Sequence, residues 1–191
     1  MEALVMGLVL FLGLHSVRLF ANNWRSNMLE FLGEKGYKLL YTAGSLVGFG
    51  LIVWGYGQAR LTPVPLWSPP TGLRHLASLL TLLAFVLIAA AYVRGNQIKH
   101  WIGHPMLAGT KAWALGHLLA NGNQADVLLF GSFLAWSIAD FISCRRRDRA
   151  AGVQYPGGVA GRTALTTAIG VAAWAVFALF LHAPLIGVRP F

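Results

Sequence analysis

Four histidines lie in or at the edges of long apolar stretches: His15, His75, His104 and His117. An ionisable side chain inside a bilayer is costly and is by default a sign of function. Neutral imidazole is a common donor to iron, zinc and copper. His15 sits deep in Leu12-Gly13-Leu14-His15-Ser16, and His117 in Trp113-Ala114-Leu115-Gly116-His117-Leu118-Leu119-Ala120-Asn121. Each ring has two readings: a packed imidazole bonded to a backbone carbonyl, or a ligand to a metal or a haem. Gly7 and Gly13 would let a flat ring or another helix approach the His15 segment closely. Gly116 likewise leaves room beside His117 for something bulky. Trp113, four residues earlier, shares the His117 face, where it would line a pocket or pack a helix.

The other candidates read as interfacial. His100 and His104 have a helical metal-ligand spacing, but Gly103 and Pro105 interrupt the helix and no third ligand stands nearby. His104-Pro105 reads best as a helix start, with proline in the first turn. His75 beside Arg74, and His182 before Ala183-Pro184, fit the ends of spans. Asp140 lies close to Arg145, Arg146 and Arg147, which makes a pairing with that run its simplest role. Phosphate-loop, dinucleotide, HExxH, CxxC and GxSxG motifs are absent, and six carboxylates are too few for paired acid–base work.

The elements that must position these histidines follow from composition. Of 191 residues 57% are hydrophobic and 11% charged, with mean hydropathy +0.61. A soluble domain carries about 25% charged residues, so a soluble enzyme is excluded. Cys144 is the sole cysteine, which excludes a disulfide framework. The pattern predicts an all-α polytopic transmembrane helical bundle: one integral membrane domain over 1–191, with spans near 3–20, 36–56, 74–93, 105–120, 125–143 and 163–181. The first run has Glu2 where a signal peptide would be basic, and it lacks a cleavage site. Residues 22–35 read as an interfacial amphipathic segment. The Pro-rich stretch 62–70 cannot be a helix interior.

The net charge of +9 invites a nucleic-acid reading, but its distribution points elsewhere. With six spans, the first, third and fifth connections hold eleven of the fifteen basic residues: Arg18, Arg25, Lys35, Lys38, Arg94, Lys99, Arg145, Arg146, Arg147, Arg149 and Arg162. The other side holds Arg60, Arg74 and Arg189, and Lys111 falls within a span. By the positive-inside rule those connections are cytoplasmic and both termini face outward. The partner implied is an anionic bilayer surface, with no nucleic acid.

Depth links the two intramembrane histidines. His15 lies about 18 Å below an outer face at Ala3. With Lys111 snorkelling to the inner interface, His117 lies roughly 21 Å down in a ~30 Å core. With the span starting at His104 instead, the depths differ by ~8 Å. The pairing depends on Lys111 as the anchor.

The chain resembles the NnrU family of bacterial membrane proteins and, more distantly, the plant 15-cis-ζ-carotene isomerase that shares its domain. The resemblance is carried by His15-Ser16, Gly33-Glu34-Lys35-Gly36-Tyr37-Lys38-Leu39-Leu40-Tyr41, the block from His104-Pro105 to Asn121-Gly122, and His182-Ala183-Pro184-Leu185-Ile186-Gly187-Val188. It implies a multi-pass protein of the bacterial inner (cytoplasmic) membrane carrying haem b. Its iron would be held by His15 and His117, with Trp113 and Gly116 beside the cofactor. It also implies a role in denitrification or nitric oxide metabolism, with denitrification components or a hydrophobic small molecule as partners. The isomerase has a cysteine three residues before its second histidine, where this chain has Ala114. That departure weighs against a haem-dependent isomerase. A non-catalytic membrane assembly protein is the third reading. His104-Pro105-Met106-Leu107-Ala108-Gly109 is also similar to the HPxYxG start of membrane isoprenylcysteine-type methyltransferases. Here, however, Gly103 replaces their arginine, Leu107 replaces the tyrosine, and their C-terminal acidic motif is missing.

Overall fold

A computed structural model describes residues 1–190 of the chain. Its elements are α1 (Glu2–Phe20), α2 (Asn22–Ala59), α3 (Thr71–Tyr92), α4 (Gln97–Ile102), α5 (Pro105–Ala120), α6 (Gln124–Ala150) and α7 (Ala160–Val176). A π-helical turn, Phe177–Leu181, then leads into α8 (His182–Ile186). Among the described residues there is no strand, only an isolated bridge between Pro65 and Asn123. The expected all-helical fold is what the chain forms.

Among the described residues, five stretches are long and apolar enough to cross a bilayer: Glu2–Phe20, Asn22–Ala59, Thr71–Tyr92, Gln124–Ala150 and Ala160–Ile186. The remaining expected span, the fourth, is α5. Its 16 residues reach about 24 Å, short of a ~30 Å hydrocarbon core. The interfacial segment is set apart from the second span at Gly33, where φ 68 and ψ 167 interrupt the helix. Only glycine takes that conformation without strain. α6 runs through the arginine cluster to Ala150 rather than stopping before it. Arginine is a good helix former, and cations are favoured in a last turn.

The chain divides into two compact units. The first comprises Met1–Leu66 and Asn123–Ser132. In it α1 packs antiparallel on α2 along a glycine seam. A Cβ on Gly7 would fall 2.6 Å from the Ile52 nitrogen, one on Gly48 would fall 2.9 Å from the Phe11 nitrogen, and one on Gly55 would fall 2.3 Å from the Leu4 nitrogen. Such close backbone approach is how helices associate in lipid, where apolar burial gives little driving force. The buried Asp126 carboxylate accepts from the Tyr56 hydroxyl at 2.5 Å and from the Asn123 side chain at 3.0 Å. It thereby ties α2 to the start of α6.

The second unit comprises Trp67–Gly122 and the chain from Phe133 onward. Here α5 lies antiparallel on α3 along another small-residue seam. A Cβ on Gly109 would meet the Ala84 carbonyl at 2.9 Å, and one on Gly116 the Ala77 carbonyl at 3.2 Å. α7 closes on α3 at Gly170, against Val86, and through a Trp174 indole bond to Thr81 Oγ1 of 3.2 Å. The connection after α6 is laid across the one after α3. Val159 donates to the Gly95 carbonyl, Gln97 N–H donates to Thr163 Oγ1, and a Cβ on Gly158 would strike Asn96 at 2.2 Å. Asn96, 2% exposed, accepts from the Lys99 N–H as N-cap of α4 and donates to the Ala90 and Val93 carbonyls ending α3.

Candidate functional site

His15 and His117 are each held by a carbonyl one helical turn back, within their own units. His15 Nδ1 lies 2.7 Å from the Phe11 carbonyl, and its ring stacks on Phe11 with centroids 4.2 Å apart. Tyr41 of α2 stands 5.2 Å from the same ring, tilted against it. His117 Nδ1 lies 2.9 Å from the Trp113 carbonyl, with the Trp113 ring 5.2 Å away. Phe133 meets Trp113 edge-on at 5.6 Å. A backbone carbonyl on Nδ1 selects the tautomer protonated there, which places the lone pair on Nε2. A second-shell acceptor on one nitrogen is how metal-binding imidazoles are usually oriented. Both rings are half-buried among aromatic faces.

Gly13, exposed on α1 two residues before His15, has no neighbour within 4 Å of where its Cβ would be. Gly116 differs. The room it leaves is filled by Ala77 and Leu80 of α3, so it seats α5 on its neighbour. Trp113 shares the His117 face as the spacing predicts. Lys111 lies with its Nζ 3.6 Å over the Phe141 ring, a cation–π contact.

The remaining histidines lie at or near helix ends, except that the last apolar helix continues past His182 to Ile186. His75 is exposed in the first turn of α3. His104 is the N-cap of α5, with Pro105 at its first position. His182 opens α8, its Nδ1 2.7 Å from the Val188 carbonyl. Asp140 pairs with Arg147 at 3.9 Å and accepts from the Cys144 thiol. Among the described residues, no three or more His, Cys, Asp or Glu side chains gather as a metal site would require.

Sequence reasoning missed one constellation in the second unit. His104 Nε2 meets Asp148 Oδ2 at 2.6 Å, and the Tyr155 hydroxyl donates to that same oxygen while lying 3.0 Å from His104 Nε2. His100 joins through Nδ1, 2.7 Å from the Tyr155 carbonyl. Burial, and then the bond to the Asp148 carboxylate, push the Tyr155 hydroxyl above the ordinary phenol value. The available signals were a lone carboxylate inside an arginine run and a tyrosine set among Gly152, Gly157 and Gly158.

No curated protein matches the chain, and no solved structure does. The family model described as NnrU protein matches residues 3–190. With nearly its whole length matched, and spanning helices throughout, this chain is a membrane protein belonging to the NnrU family.

Proposed function

We propose that this protein binds haem b, with His15 and His117 as the donors to iron. Its place is in a bacterial inner membrane, as a redox- or nitric-oxide-linked accessory of denitrification. The supporting observation is that His15 and His117, half-buried on helices α1 and α5, each have Nδ1 engaged by the carbonyl four residues back, the arrangement that prepares Nε2 as a ligand. Haem suits this donor set. Haem brings most of the donors to its own iron, so His15 and His117 would suffice to hold it. Bound haem would supply one-electron chemistry or a coordination position for a small gas. Phe11 and Tyr41 would fix the His15 ring, and Trp113 that of His117. The eleven basic residues of the first, third and fifth connections support a cytoplasmic placement for those segments and outward termini.

The isomerase reading has less support. Ala114 is fully buried and carries no thiol, and the single cysteine, Cys144, lies in α6 beside Asp140 and Arg147.

The test is a reduced-minus-oxidised spectrum of the purified chain. A Soret band is expected in the wild type, strongly diminished in both His15→Ala and His117→Ala, with His75→Ala unchanged. Absence of any Soret band, or its survival in both variants, would overturn the proposal.

A further inference from the structure

The second unit contains a cleft of about 220 Å³ between α4, the end of α6 and the residues that follow. Arg145, Arg149, His100, Trp101 and Gln154 line it, with Asp148 and Tyr155 at its wall. We propose that this cleft binds a phosphate-bearing anion, and that the phosphate is the headgroup of an anionic phospholipid.

Charge comes first. Asp148 is the lining's one carboxylate, and its Oδ2 is already committed to His104 and Tyr155. No carboxylate pairs with Arg149 among the described residues. Arg145 lies 5.9 Å over the Tyr155 ring, so the lining sets two guanidiniums against a single carboxylate and keeps a net positive charge. Arginine is the side chain best suited to grip phosphate oxygens by two parallel N–H bonds. Donors without charge, the Gln154 amide and the Trp101 indole, complete the wall.

The cleft is also built rather than incidental. Its floor is the connection pinned by Val159 to Gly95, by Gln97 to Thr163 and by His100 to the Tyr155 carbonyl. Gly103, with φ 78, lets the Tyr155 ring sit where any Cβ would collide.

Position selects the source of the phosphate. Trp101 is 68% exposed at the rim, and tryptophan prefers the depth of lipid headgroups. The cleft joins the third and fifth connections. In the orientation proposed above, on which the choice of leaflet rests, these face the anionic cytoplasmic leaflet.

The test uses the full chain in dodecylmaltoside, titrated with dioctanoyl phosphatidylglycerol, dioctanoyl phosphatidylcholine or inorganic phosphate and read by native mass spectrometry. Phosphatidylglycerol should bind, and R145Q/R149Q should weaken it roughly tenfold. R94Q/R146Q, which removes the same charge outside the cleft, should change it by less than about twofold. If the glutamine pair loses its helical circular dichroism, R145K/R149K replaces it and should weaken binding about threefold, because lysine lacks the fork. Equal loss in both double variants, or equal binding of the zwitterionic lipid, would overturn the site. Displacement of the lipid by millimolar inorganic phosphate would overturn the assignment to phospholipid and leave a soluble phosphate as the occupant.

Discussion

At Gly103 the backbone takes φ 78, and a Cβ would land 2.7 Å from the Tyr155 ring, so a side chain is refused on two grounds. Gly152 shares the positive φ, at 63, but has open space around it. Gly103→Ala should therefore destabilise by about 2–4 kcal/mol and Gly152→Ala by about 1 kcal/mol. Thermal unfolding in detergent, followed by circular dichroism, would show the difference, and equal losses would remove the packing half of the explanation. What a residue does locally was legible in the sequence: His104-Pro105 reads as a helix start because proline's fixed φ suits that position. Asp140 was legible because Arg147 lies seven residues on along the same helix. The bond from Tyr155 to Asp148 and His104 was not, since His104 is 44 residues away from Asp148 in sequence. No local pattern encodes which distant carboxylate an imidazole will meet.

Between helices, the seams are written in glycine. Gly48 faces the Phe11 backbone and Gly116 the Ala77 carbonyl, whereas Gly50 and Gly57 on α2 meet nothing within 4 Å. Gly48→Leu and Gly116→Leu should each cost about 1–3 kcal/mol by overpacking, and Gly50→Leu should be close to neutral. The midpoint of thermal unfolding separates these outcomes. A neutral Gly48→Leu would mean that α1 and α2 do not approach so closely. Gly7 was rightly read as a point of close approach. Gly116 was read as leaving space for a cofactor, and that space belongs to α3. Sequence announces a missing side chain but not what fills the gap, because small residues serve helix contacts and ligand pockets alike. Helix extents were legible where proline punctuates the chain, as at 62–70; the break at Gly33 falls two residues inside the segment read as ending at 35. They were not legible at Arg145–Arg149, where a charge run ends the apolar stretch while the helix continues to Ala150.

Across the whole molecule, the uneven distribution of charge makes a claim about sidedness. The single native thiol simplifies its test: in a C144S background, cysteines placed at exposed Glu2, Ser68 and Ala150 report one at a time. A membrane-impermeant maleimide added to spheroplasts should label positions 2 and 68 but reach 150 only after permeabilisation. The reverse pattern would invert the topology. The brevity of α5 carries a different consequence. Its 16 residues stand beside the longer α3, and Met106 and Leu115 along it are 42% and 40% exposed. A bilayer meeting this helix must thin or dimple toward it, at a fraction of a kcal/mol for each ångström of mismatch. The protein then acts as a gauge of acyl-chain length: it should unfold at higher temperature in short-chain than in long-chain lipid, and should gather thin membrane around the helix that bears His117.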